Sequence, residues 1–180
     1  MGTVVTVRVA HTAQLGARDL AEVRALMDTA FDGGFADDDY EHALGGMHAL
    51  VRDGRDLVAH GSVVMRRLLH DGRALRTGYV EAVAVRADRR RQGLGGLVMD
   101  AIEQVIRGGY QLGALSSSAM ATDFYQGRGW QAWTGTTSVL GPDGPRRLPG
   151  EEDAIYVLPV SARLTRGGDL ACDWRGGDVW

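Results

Sequence analysis

Apolar residues recur at every second position near the start of the chain, where Val5, Val7 and Val9 share one face of a strand predicted over Thr3–Ala10. The spacing then lengthens to three and four. Leu20, Val23, Leu26 and Met27 lie near one stripe of a helix predicted over Ala17–Phe31. An acidic loop or short helix start follows, from Asp32 to Glu41. Two apolar runs, Met47–Arg52 and Leu57–Leu69, flank the turn signal Asp53-Gly54-Arg55 and predict paired strands. A second turn, His70-Asp71-Gly72-Arg73, returns the chain into a strand over Leu75–Val85. The clearest helical period is Leu94, Leu97, Val98, Ala101, Val105 and Ile106, which predicts a helix over 94–107 stopped by Gly108 and Gly109. Then come a strand at Leu112–Leu115, a helix at Ser118–Gln126, strands at Gln131–Leu140 and Ile155–Pro159, and a glycine-rich tail ending in Asp178-Val179-Trp180. Antiparallel strands followed by β-helix-β-helix-β predict a mixed α/β fold: a mostly antiparallel central sheet with flanking helices and one crossover region. No repeat or linker divides residues 1–180, so one domain is expected.

Composition narrows the partners. Hydrophobic residues make up 44% and charged residues 24%, ordinary for a soluble globular chain. A net charge of −3 argues against a nucleic-acid partner. No apolar run is long enough to span a bilayer and the N-terminus lacks a signal-peptide pattern, so no membrane partner is expected. With one cysteine, Cys172, there is no intrachain disulfide, and the cytosol is the expected compartment. Cys172 itself reads as structural. The histidines at 11, 42, 48, 60 and 70 show no metal-binding spacing, so no metal is expected. All 20 basic residues are arginine, and there is neither lysine nor asparagine. That excludes a phosphate-binding Walker lysine, a Schiff-base lysine and N-glycosylation.

The candidate chemistry lies between residues 79 and 96. The strand Tyr79–Val85 carries a lone acid, Glu81, and runs into an arginine- and glycine-rich turn that opens the helix at 94. Arg90, Gly93 and Gly95 form an R-x-x-G-x-G pattern. Glycines let a backbone approach phosphate closely, and the unpaired amides at a helix N-terminus supply aligned donors. The turn Arg90, Arg91, Gln92, Gly93, Leu94, Gly95 and Gly96 is therefore a candidate pyrophosphate grip. Glu81 is placed to serve the reacting end of the same ligand, because a buried carboxylate without a task is costly.

This strand-turn-helix unit resembles the GCN5-related N-acetyltransferase superfamily, in which the motif holds the pyrophosphate of acetyl-coenzyme A. The segment Ala121-Thr122-Asp123-Phe124-Tyr125 through Trp130 resembles a second motif of that family. Further segments are similar to the aminoglycoside 2′-N-acetyltransferases of actinobacteria: Glu41 to Leu50, Gly78 to Glu81, Ala84 to Asp88, Gln111 to Ser118 and Cys172 to Trp180. The resemblance implies a cytoplasmic enzyme that takes acetyl-coenzyme A as co-substrate and an aminoglycoside as acceptor, and it suggests a homodimer. It implies Glu81 as base, acting directly or through ordered water, and Tyr125 as the acid facing the coenzyme A thiolate. The amide of Val83 becomes the donor to the acetyl carbonyl, and Val83 and Val85 pair with the pantetheine arm; a bulge in this strand would free those groups.

An aminoglycoside is a polycation, so acidic residues are the expected contacts: Asp32, Asp39, Glu81, Glu151, Glu152, Asp178 and the C-terminal carboxylate of Trp180. Ser116 adds a hydroxyl. In one place the chain departs from the relatives: Gly34 precedes Phe35 where an aspartate is usual, and Asp32 is the nearest acid upstream. Two alternatives stay open from the sequence. The acceptor is another amine, such as a cell-wall amino sugar, a polyamine or a metabolite; or the chain is a non-catalytic module that binds acetyl-coenzyme A or a drug.

Overall fold

The computed structural model describes residues 4–151 and 154–180; Thr3 of the expected first strand and the candidate acid Glu152 lie outside the described residues. Contacts divide the chain into two compact units, Met1–Val64 with Val80–Val105, and Met65–Tyr79 with Ile106–Trp180. The architecture is mixed α/β, a mostly antiparallel sheet with flanking helices, as the element order predicts.

The first unit contains β1 (Val5–His11), α1 (Ala17–Ala30), α2 (Asp37–His42), β2 (Met47–Asp53), the start of β3 (Asp56–His70), the end of β4 (Arg73–Val85) and most of α3 (Leu94–Gly109). β1 pairs antiparallel with β2, and β2 with β3. Helix α1 delivers Val23, Leu26 and Met27 into a core shared with Leu15, Phe35, Leu50, Leu57 and Ala84. Two sequence expectations shift here. The Val5, Val7 and Val9 face of β1 stays about 40% exposed. It is the opposite face that meets α1, where Arg8 donates to Asp19 at 3.2 Å and Ala10 enters the core. In α3 the buried stripe includes Met99 and Ile102, whereas Leu97 is exposed and Ala101 and Val105 are only half-buried. Gly61 of β3 faces Val98 and Ile102: a Cβ on Gly61 would lie 2.6 Å from Val98 Cγ1 and 2.7 Å from Ile102 Cδ1.

The second unit adds β5 (Leu112–Ser116), α4 (Thr122–Gly127), β6 (Gln131–Ala132), β7 (Thr136–Gly141), β8 (Gly144–Arg147), β9 (Ile155–Pro159) and β10 (Asp169–Asp173). Its strands run in the order β6-β9-β5-β4-β3-β10-β7-β8. β5 lies parallel to β4 after the α3 crossover, as expected. Several elements differ from the sequence reading, among them β8, which it lacks. The strand predicted at Gln131–Leu140 is broken, since Gly135 sits so close to the Gly168 carbonyl that no side chain fits there, and Trp133 Nε1 bonds back to Thr136 O. The helix predicted at Ser118–Gln126 opens as a 3₁₀ turn at Ala119–Ala121 before α4. The glycine-rich tail also holds a real strand, β10, parallel to β7 and antiparallel to β3, with Leu170, Ala171 and Cys172 buried. Buried Arg66 fastens β10, with Nε to Asp173 Oδ1 at 2.7 Å and a second donor to the Asp173 carbonyl at 2.9 Å.

Substituting Gly61→Ala should push α3 off β3 and lower stability by about 1–3 kcal/mol. Urea denaturation monitored by circular dichroism checks this; an unchanged midpoint would mean that the helix yields without cost.

Candidate active site

Strand β4 does not run straight through its acid. Ala82, directly after Glu81, has φ of +50°. A non-glycine residue in the left-handed region costs roughly 1–2 kcal/mol, so surrounding contacts must hold it there. Two side chains from β3 do so: Ser62 Oγ donates to the Glu81 carbonyl at a long 3.4 Å, and His60 Nδ1 meets the Ala82 carbonyl at 2.9 Å. Such a kink frees backbone groups that a regular ladder would use. Glu81, Ala82, Val83 and Val85 are all half-buried, and Ala84 is buried. One short segment thus presents a carboxylate, then the amide of Val83.

The turn after β4 is built by ion pairs. Arg86 binds Asp88 at 2.7 Å, Arg89 pairs with Asp53, and Gln92 Oε1 accepts from Arg89 Nε at 3.1 Å. Arg86 and Arg89 are therefore occupied in shaping the turn, as is the Gln92 side chain. Arg90, Arg91 and Gly93 are exposed. Arg91 at φ +59° and Gly93 at φ +78° take left-handed conformations, which turn successive amides toward one side. The Leu97 amide bonds to the Gly93 carbonyl at 3.2 Å, so Gly93 caps α3. The amides of Leu94, Gly95 and Gly96 then belong to the first turn, where no intrahelical acceptor exists. This donor set fits a pyrophosphate.

In the second unit Tyr125 of α4 is buried within an aromatic group, its ring 6.2 Å from Trp130 and 5.8 Å from Tyr156. Burial pushes its phenol up to about 12, and a hydrogen bond with Ser117 pulls it partly back. Tyr125 keeps its proton at neutral pH and so has a hydrogen to donate. Burial likewise raises the Cys172 thiol to about 11, so a thiolate nucleophile is not available there.

The predicted substrate contacts fall into both units. In the first, Asp32 is exposed at φ +50° just beyond α1, and Asp39 accepts the Ala36 amide at 2.9 Å through Oδ2, capping α2. In the second, Ser116 is exposed at the end of β5, and Glu151 is half-buried after β8. Asp178 is exposed; its carbonyl accepts from Arg175 at 2.8 Å and its Oδ1 from the Trp180 amide at 3.2 Å. Trp180 is 2% exposed, with no acceptor for its Nε1 among the described residues, whereas Trp174 is 49% exposed. Only one of the two terminal tryptophans is an anchor. Among the described residues no three or more His, Cys, Asp or Glu side chains are grouped to hold a metal.

Sequence reasoning passed over His48 and His60. Both are fully buried and hydrogen-bonded to each other, Nδ1 to Nε2, at 2.9 Å. Burial drives His48 down to about 4 and His60 to about 3, so both are neutral at physiological pH. The available signal was the one that singled out Glu81, a polar residue inside an apolar strand run. Ser117 was missed as well, because its contact with Tyr125 joins β5 to α4 across the sequence.

A sheet with a kinked fourth strand leading into an amide-lined helix start defines an acyl-coenzyme A-binding class of transferase. Residues 12–133 match the family described as Acetyltransferase (GNAT) domain, and the chain belongs to that family. It is 51% identical, over 99% of its length and 94% of the relative's, to an aminoglycoside 2′-N-acetyltransferase of Mycolicibacterium fortuitum. Its fold is also similar to a GNAT family N-acetyltransferase (YhbS) from Escherichia coli in complex with CoA, with TM-score 0.68, 18% identity, and coverage of 96% of this chain and 91% of that one. A GNAT family acetyltransferase from Brucella melitensis in complex with acetyl-CoA gives TM-score 0.61 at 15% identity, covering 95% and 97%.

Because folding holds both imidazoles neutral, their contribution to stability is complete above pH 6.5 and is lost as pH falls toward about 4 and then 3. Within that window each histidine should add a slope of about 1.4 kcal/mol per pH unit. Urea titrations at successive pH values should show this slope, and His48→Leu should flatten it; a flat profile in the native protein would mean that the imidazoles charge without penalty.

Proposed function

We propose that the chain is an acetyl-coenzyme A-dependent N-acetyltransferase that acetylates the 2′-amine of aminoglycosides by direct transfer, and so confers resistance to them. The observation that carries the chemistry is the left-handed kink at Ala82, which lies between the proposed base Glu81 and the proposed donor Val83 on β4. The acceptor rests on the near end-to-end identity with the mycobacterial relative.

Acetyl-coenzyme A supplies an activated acetyl thioester. Arg90, Arg91 and the amides of Gly93 to Gly96 hold its pyrophosphate, while Gln92 shapes the turn; Val83 and Val85 hold the pantetheine arm as an added strand would. The Val83 amide donates to the acetyl carbonyl oxygen, where negative charge develops. Glu81 takes the proton that the amine loses as its nitrogen bonds to the acetyl carbon, directly or through a water. The carbon–sulfur bond then breaks and sulfur leaves as thiolate. Tyr125 faces that sulfur in this reading. The protonated phenol hydrogen-bonds the departing thiolate and supplies its proton to it, as the general acid of the reaction.

Asp32, Asp39, Glu151 and Asp178 supply negative charge for a polycationic acceptor, Trp180 offers its ring, and Ser116 adds a hydroxyl. The enzyme works in this reading as a cytoplasmic homodimer with no nucleic-acid partner. The amino sugar, polyamine and metabolite acceptors remain the competing substrates for the same chemistry.

The test compares coenzyme A release with two aminoglycosides, one bearing a 2′-amine and the other a 2′-hydroxyl. Turnover should occur with the amine alone, and Glu81→Gln should lower kcat by roughly a hundredfold or more. Equal turnover with both compounds would refute the regiochemistry, and a fully active Glu81→Gln would refute the base.

A further inference from the structure

A chain of polar groups, buried at its two histidines, runs from the turn before β2 to the kink in β4. The Gly45 amide donates to Thr12 Oγ1 at 2.9 Å, and Thr12 Oγ1 meets His48 Nε2 at 2.7 Å. His48 Nδ1 meets His60 Nε2 at 2.9 Å, and His60 Nδ1 meets the Ala82 carbonyl at 2.9 Å. The two ends fix every proton. A carbonyl only accepts, so His60 Nδ1 carries hydrogen; in a neutral ring Nε2 must then accept, so His48 Nδ1 carries hydrogen too. His48 Nε2 therefore takes the single Thr12 hydroxyl proton, in preference to the Gly46 carbonyl at 3.3 Å. Each donor has an acceptor, and all point one way.

We propose that His60 is a positioning residue for acetyl transfer: its Nδ1–H ties the Ala82 carbonyl and holds β4 in the kink that sets Glu81 and the Val83 amide, while His48 and Thr12 lock its tautomer. The inference rests on the roles given above to Glu81 and Val83. Three features of the site lead to it. Ala82 lacks the conformational freedom that lets glycine take a positive φ unaided. The carbonyl of Ala82 is met by a side chain, and that side chain is fully buried. The remaining ring nitrogen is also committed, so the imidazole has no second rotamer that keeps both bonds. Gly61, next in sequence, faces α3 on the other side of β3, so β3 is pinned on both faces at this point.

The experiment uses two amides that each imitate one ring nitrogen. Asparagine places its amide near the Nδ1 position, so His60→Asn keeps a donor for Ala82 and gives up His48. Glutamine reaches the Nε2 position, so His60→Gln keeps the contact with His48 and gives up Ala82. With a 2′-amine aminoglycoside and acetyl-coenzyme A, His60→Asn should stay within about threefold of the native kcat. His60→Gln should lose roughly ten- to a hundredfold in kcat, with both KM values and the affinity for coenzyme A unchanged. Equal kcat in the two variants, or a loss confined to KM or coenzyme A affinity, would overturn the proposal. The native protein gives a second readout that needs no variant: nitrogen-15 spectra should show His60 protonated at Nδ1, and protonation at Nε2 instead would also overturn it. Glu81→Gln is measured alongside. If it is fully active, the reading of Glu81 fails, whereas the asparagine–glutamine contrast and the tautomer still report on His60 with any amine that is turned over.

Discussion

The kink at Ala82 is the constraint on which the chemistry proposed for the first unit depends. A straight β4 would alternate its side chains and engage its backbone groups in a regular ladder. A residue at φ +50° breaks that regularity between Glu81 and Val83. The conformation is unfavourable for alanine by itself, and neighbouring elements offset the cost. His60 and Ser62 reach the two carbonyls, Ala82 packs at the border of the core beneath α1, and the turn that follows is fastened by Arg86 and Arg89.

Burial is the largest influence on the protonation states around this strand and around α4. It keeps Tyr125 and Cys172 protonated and His48 and His60 uncharged. In the proposed reaction the neutral phenol faces the departing thiolate, and the buried thiol is unsuited to an acyl-enzyme route. The neutral imidazoles supply directed donors that a charged pair side by side would not sustain. Of the acids proposed for a polycationic acceptor, by contrast, Asp32 and Asp178 are exposed and Asp39 and Glu151 half-buried.

Much of this was legible in the sequence because local periodicity and turn chemistry dominate there. The arginine–glycine turn, α1, and the strands β2 to β5 and β9 lie close to where apolar spacing puts them. The misreadings have long-range causes. The break after β6 comes from Gly135 meeting Gly168 more than thirty positions away, and β10 owes its place to pairing with β3 and β7. The face of α3 centres on Leu94, Val98, Ile102 and Ile106, and Gly61 of β3 makes room for Val98 and Ile102. At the site, Glu81 stood out as an acid in an apolar run. The histidines in equivalent settings were weighed only as metal ligands, and their partnership depends on β2 and β3 lying side by side.

The most direct test of the account replaces the residue at the kink itself. Ala82→Gly accepts the left-handed conformation, whereas Ala82→Val, β-branched, resists it. With coenzyme A affinity used to verify that each variant retains its phosphate turn, Ala82→Gly should keep kcat within about threefold, and Ala82→Val should lose roughly a hundredfold. A valine variant that transfers acetyl groups as fast as the native protein would contradict the claim that the kink places the catalytic groups.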